Sequence, residues 1–196
     1  MVKELVLKNR SYRRFQEDAA IERHTLEELI ELARLSPSGA TRQPLKFFLS
    51  CDSATNARIF PHLAWAGYLR DWAGPTEGER PTGYIIILGD TTVQSTVNTS
   101  AKTDMGIAAQ TIMLGAAERG LGGCMIGSIQ RNDLRAALDI DKRYEIMLVL
   151  ALGKPAETVV LETVGEDGSV KYWRDAEDVH HVPKRPLDDL IIDTRG

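Results

Sequence analysis

The chain has 196 residues, 43% hydrophobic, 27% charged and 6% aromatic, and its 24 Lys and Arg against 28 Asp and Glu leave a formal net charge of −4. That length fits one globular domain able to bury about 70% of the surface of its unfolded form without disulfides or metal staples. The weakly acidic balance leaves no overall footprint for nucleic acid, and no apolar run approaches the roughly 18 residues that a membrane-spanning helix needs.

In chain order, Met1 to Arg14 interleaves charges with apolar residues, a pattern unlike a signal peptide. Thr25-Leu26-Glu27-Glu28 reads as a capping box, opening a helix with Leu26, Leu29, Ile30 and Ala33 on one face, ended by Pro37. Lys46 to Ser50 reads as a short strand, while Tyr84 to Leu88 and Glu145 to Leu152 are apolar enough for strands covered on both faces. Between these, Gly74 to Gly83 is a surface loop, and Asp104 is the expected cap of a helix from about Met105 to Arg119, stopped by Gly120. A shorter helix is expected near Asn132 to Leu138, and a polar, extended arm over 165–196. Strands and helices without a regular βαβ rhythm favour an α+β sandwich over a doubly wound sheet. Nothing divides residues 1–196 into separate domains, and Cys51 and Cys124 suit reduced thiols in the cytoplasm.

Of the 24 cations 16 are Arg, and three of those, Arg10, Arg13 and Arg14, fall within five positions beside Ser11. Guanidiniums with a hydroxyl form an anion-binding composition, since the planar fork matches carboxylate or phosphate oxygens. The alternative is a solvated basic turn paired with Glu4, Glu17 and Asp18. Lys184-Arg185 interrupts an acidic tail and is either a second half of the anion site or a partner of Asp188 and Asp189. The loop Ser36 to Pro44 has small residues that let backbone donors approach a flat ligand, with Gln43 adding an amide. Gly120 to Ser128 holds four glycines in nine positions without a P-loop ending; it either lets the backbone run against an aromatic ring or only ends a helix tightly. His24, His62, His180 and His181 lack metal-ligand spacing and read as surface or structural residues. Trp65, Tyr68 and Trp72 stand at i, i+3 and i+7, so a helix there would present them on one face, as packing or as a lid over aromatic substrates.

Together these segments resemble the nitroreductase family of flavoproteins over essentially the whole chain, and in particular its short bacterial and archaeal branch. Asn9 to Phe15 is similar to the family's R-R-S-x-R-x-F opening, with Asn9 at the first Arg, and the 36–44 loop to its P-S-x-x-N-x-Q-P segment, with Thr41 at the Asn. Asp104-Met105-Gly106, the glycine run, Leu152 to Pro155 and Pro183 to Leu187 follow in the family's order. The resemblance implies an α/β/α sandwich with a mixed central sheet flanked by helices, an intertwined homodimer, and one FMN per subunit. Arg10, Ser11 and Lys184 or Arg185 would hold the phosphate, and Arg13 would lie at the N1/O2 edge of the ring. Ser38, Gly39, Ala40 and Thr41 would approach the flavin from the partner subunit, Gln43 would also bind the cofactor, and backbone N–H groups around Ile126 and Gly127 would face N5. The implied function is an NAD(P)H oxidoreductase that reduces nitroaromatic or quinone-like acceptors by ping-pong hydride transfer, with no catalytic side chain, no metal, no nucleic acid and no membrane. Dehalogenation, dehydrogenation or flavin fragmentation on the same fold, and flavin binding without turnover, are the alternatives.

Overall fold

A computed structural model of the protein describes residues 1–96 and 98–195. Its centre is a four-stranded sheet in the order β1 (Leu45–Ser50), β2 (Gly83–Asp90), β4 (Tyr144–Gly153), β3 (Gly122–Ile126), antiparallel at every pairing. All eight residues of β2 are buried, and strand alternation explains how. Tyr84, Ile86 and Leu88 enter one apolar cluster, whereas Ile85 and Ile87 enter another on the opposite face. A sheet buried on both faces has to be sandwiched. Here α2 (Arg23–Arg34) and α4 (Thr99–Glu118) cover one face through Leu26, Leu29, Ala109, Ile112 and Ala116. Ile59 of α3 (Ser53–Ile59) and Leu134 of α5 (Arg131–Ala137), with Leu63 and Trp65, cover the other. A seven-residue helix, α1 (Val2–Lys8), precedes these and contacts α4.

The expected mixed pairing lies in a second sheet rather than the central one. There β7 (His180–Lys184) runs parallel to β5 (Val159–Thr163) and antiparallel to β6 (Trp173–Arg174). Much of the segment expected to be an extended arm thus folds back on its own chain, because β7 finds a hydrogen-bonding edge in β5. Leu187, Leu190, Ile191 and Ile192 beyond it are exposed.

Two helix starts also differ from expectation. The second helix begins at Arg23 with Glu22 as N-cap and no side-chain cap, and the Arg23–Glu27 ion pair and the 3.2 Å His24–Glu28 contact bind its first turn instead. The long helix starts at Thr99, where the Asn98 side chain accepts from Ser100 N. Asp104 is therefore a buried residue in its second turn, free to serve another purpose. Gly120 stops that helix with φ +72, as expected.

The chain's opening segment runs beside β3, an edge strand of the central sheet. Tyr12 N donates to Gly123 O at 3.0 Å, and Ser11 and Gly123 form an isolated bridge. A Cβ on Gly122 would lie 2.4 Å from the Tyr12 ring, so the ring that the glycine run accommodates here belongs to this chain. Phe15, fully buried, needs the same concession from Gly153, whose Cβ would approach its ring at 2.7 Å.

Candidate functional site

The opening segment is held by one buried carboxylate. Glu157 accepts hydrogen bonds from Arg13 N and from Arg14 N (3.1 Å), and its other oxygen takes Arg174 Nη2 at 2.6 Å. Arg14 pairs with Asp178 (3.0 Å) and Glu79 (3.4 Å). The neighbouring guanidiniums of Arg10 and Arg13 have no carboxylate within 4.0 Å among the described residues. Arg10 spends one nitrogen on Val6 O, and the Nε atoms of Arg10 and Arg13 are buried without a partner. This disfavours the paired-turn alternative, in which Glu4, Glu17 or Asp18 would have neutralised the segment.

Arg10, Ser11 and Arg13 line a cavity of about 250 Å³ with Asn9, Gln110, Met113, Gly123 and Met125. The small C-terminal sheet and its approach close it with Tyr172, His180, Val182 and Lys184. Three cations and no carboxylate therefore face one space. The N-terminal and tail segments expected to share an anion site do line one cavity, through Lys184; Arg185 is exposed and does not line it. Strand alternation turns Gly123 and Met125 toward the cavity and sends the Ile126 side chain into the core. Gly127 is exposed, its carbonyl accepting from Arg131 Nη2.

The 38–43 loop lies elsewhere. Ser38 and Gln43 line a different cavity with Asp104, Ala108 and Phe47. Asp104 anchors this loop, accepting from Ser38 Oγ at 2.7 Å and Gly39 N at 2.9 Å, while Ser38 Oγ accepts from Gln43 N at 3.0 Å. Ala40, Thr41 and Gln43 have φ of 50, 52 and 50, the left-handed region that side chains other than glycine occupy at a cost. The two cavities share helix α4, which offers Gln110 and Met113 to one and Asp104 and Ala108 to the other. One chain does not bring the loop to the cations.

The aromatic trio does not share a helical face. Residues 64–72 hold no helix, only turns at 67–68 and 70–71, with Ala66 at φ 40. Trp65 is core, packed on Phe60 and accommodated by Gly74, whose Cβ would lie 2.8 Å from its ring. The Trp72 ring lies against the guanidiniums of Arg174 (4.7 Å) and Arg14 (5.9 Å). Of the three, Tyr68 adjoins the cavity lining, its ring tilted against that of the cavity residue Tyr172 with centroids 4.9 Å apart.

Tyr172, Glu157 and His180 were not legible as site residues, and His180 is the least expected. It is fully buried, its Nε2 is 3.0 Å from Arg13 Nη1, and its ring centroid is 5.2 Å from that of Tyr172. Burial, together with the charges of Arg13 and Arg174, pushes its pKa down to about 4. Its neighbour His181 is shifted the other way, its pKa raised by hydrogen bonding to Asp175 and to Glu162, each at 3.1 Å. The His180 contribution to stability is complete above the ordinary value of 6.5 and is lost as pH falls toward about 4. The His181 contribution is complete below 6.5 and is lost as pH rises through its raised value. Melting temperature followed from pH 4.5 to 8.5 should show a maximum between these limits, with H180Q flattening the acid limb and H181Q the alkaline limb. A curve of unchanged shape in both variants would remove the histidines from the account.

Among the described residues, no group of three or more His, Cys, Asp or Glu could hold a metal ion, and no helix is long and apolar enough to cross a membrane. The sequence model of the nitroreductase family matches residues 6–154. A Bacillus subtilis (strain 168) protein, YodC, named provisionally as an NAD(P)H nitroreductase, is 25% identical over 176 residues, covering 76% of this chain and 87% of its own. The structure of a Desulfovibrio desulfuricans protein, described provisionally as a nitroreductase in complex with FMN, superposes with a TM-score of 0.72 at 22% identity, covering 100% of this chain and 97% of that one. A nitroreductase family protein from Streptococcus pneumoniae TIGR4 superposes at 0.69 with 17% identity, over 99% and 100% of the two chains.

Proposed function

Because the chain belongs to the nitroreductase family, we propose that it is an FMN-dependent NAD(P)H oxidoreductase working as a homodimer, and that it reduces nitroaromatic or quinone-like acceptors. The observation that carries this reading is the cavity lined by Arg10, Arg13 and Lys184 with no carboxylate among its lining residues. Unpaired cations in a partly buried space call for an anion, and a phosphate monoester suits two cations and the Ser11 hydroxyl. The orphaned Nε atoms of Arg10 and Arg13 fit the same demand. The FMN complex of the Desulfovibrio protein and the NAD(P)H in the Bacillus protein's name support the cofactor and the donor.

In this reading Arg10, Ser11 and Lys184 hold the phosphate, and Arg13 places a fixed positive charge beside the ring. When bound, FMN supplies two-electron transfer from a nicotinamide donor to a second substrate. The protein's part is to bind and orient, so no nucleophile or triad is required. Tyr172 and Tyr68 offer aromatic faces against which a flat acceptor would stack. At about 250 Å³ the cavity falls short of the 300–1,000 Å³ usual for ligand sites. A second copy would close it with its own Ser38 to Gln43 loop, the wall that one chain holds away from its own cations. Two free cysteines suit a reducing compartment such as the cytoplasm.

Purified protein should be yellow, and NADH or NADPH should bleach it without oxygen. Bound flavin that neither donor reduces would point to storage or another flavin reaction, and a protein that takes up no FMN would end the reading. Arg10→Ala should weaken FMN binding by about 1.5–3 kcal/mol, a loss of roughly ten- to a hundredfold in affinity. Equilibrium titration of the apoprotein measures it, and an unchanged Kd would return Arg10 to the solvated surface.

A further inference from the structure

The contact between Arg13 and His180 is unusual in its charge. A guanidinium has donors only and keeps its proton, so the 3.0 Å approach of Nη1 to His180 Nε2 requires a lone pair on that nitrogen. His180 is therefore the neutral tautomer protonated at Nδ1. A buried arginine more commonly meets a carboxylate, and one is close by. Glu157, however, is fully engaged by Arg174 Nη2 and by the backbone N–H groups of Arg13 and Arg14. The charges that act on the His180 ring are those of Arg13, Arg174 and His181, and Tyr172 packs against it; none of these is acidic. Tyr172 packs on both members of the pair, with the Arg13 guanidinium 4.6 Å from its ring centroid. Strand pairing fixes the residue that carries the imidazole: His180 lies opposite Val159 on one side and Arg174 on the other, and its backbone N–H donates to Thr158 O at 2.9 Å.

We infer that His180 is a positioning residue for the redox cofactor: as an uncharged acceptor it orients the Arg13 guanidinium in the cavity without cancelling its charge. A carboxylate at that place would hold the arginine as firmly but would offset the field that favours added negative charge on a bound ligand. A purely apolar residue would preserve the field but leave Nη1 free to turn toward Ser11 O, its other partner at 3.2 Å. A neutral histidine meets both demands. The inference rests on the FMN reading, and it predicts that His180 acts on the energy of the reduced cofactor rather than on cofactor retention alone.

The test is the midpoint potential of FMN bound to the wild type, H180Q, H180F, H180E and R13Q, each checked for fold by circular dichroism. H180Q keeps a neutral acceptor and should hold the ratio of reduced to oxidised affinity within about a factor of two. H180E cancels the charge and H180F removes the acceptor while keeping a ring on Tyr172. Both should cut the ratio about tenfold, a shift of ~30 mV to more negative potential, in the same direction as R13Q. A wild-type potential in H180F, an H180Q shift as large as that of H180F, or no shift in R13Q would overturn the inference while leaving the FMN reading intact. A wild-type protein that binds no FMN would end both. Should the variants fail to fold, imidazole nitrogen NMR on the wild-type protein still decides: His180 should carry its proton on Nδ1 alone at pH 6, and a proton on Nε2 there would overturn the inference.

Discussion

Glu157→Ala should destabilise the protein by about 3–5 kcal/mol, the range for breaking a buried ion pair from one side. The Glu157 side chain is 2% exposed and that of Arg174 is 9%, so the substitution leaves a guanidinium shielded from water with only the longer, 3.7 Å approach of the exposed Asp178 to balance it. It also frees the backbone N–H groups of Arg13 and Arg14. At about 2–4 °C per kcal/mol for a chain of this size, melting should fall by roughly 10 °C. E157Q, which keeps an acceptor oxygen, should lose less, and E157L combined with R174L should recover much of the loss, because two apolar groups leave no charge stranded. Urea unfolding of the four proteins separates these outcomes. A Glu157→Ala protein within 1 kcal/mol of wild type would show that the pair is solvated and does not anchor the N-terminal segment.

Asp104→Ala should cost about 2–3 kcal/mol through the loss of its charge-assisted bonds to Ser38 and Gly39, with part of the loss offset because a buried carboxylate no longer has to be desolvated. The local effect should be sharper than the global one. Ala40, Thr41 and Gln43 hold left-handed backbone only while the loop is tied down, so amide exchange over residues 38–43 should speed up well before the core loosens. Under the dimeric reading FMN affinity should fall as well, even though Asp104 does not line the cavity of Arg13. Unchanged exchange in the loop would mean that its conformation is set by something other than Asp104.

Both predictions concern residues that local sequence patterns do not disclose. Strand β2 was legible because its own residues are apolar on both faces, and α5 and the end of α4 because their signals lie within a turn of the boundary. Asp104 has the character of a cap, but its partners are 65 and 66 residues away and Asn98 takes the capping role. The small sheet was unreadable for a related reason. It joins β5 to β7 across about twenty residues, and its third strand has two residues. Arg10, Ser11, Arg13 and Lys184 were recognisable from charge and order, whereas His180 and Tyr172 acquire their place only through that tail sheet. The place of His180 is set by its contact with Arg13, 167 residues away, which no local spacing encodes.

The bridge between Ser11 and Gly123 has a bearing on how this chain can evolve. β3 ends the central sheet, and a bare edge of that kind recruits other strands and seeds aggregation. The segment that covers part of it is the one carrying Arg10, Ser11 and Arg13. Mutations that loosen this segment would expose the edge as well as weaken ligand binding, so selection for solubility would guard the site even in a lineage that no longer needed its chemistry. A descendant that abandoned redox turnover would be expected to change the cavity side chains one at a time and to keep the path of the backbone, and with it the means of regaining a cofactor.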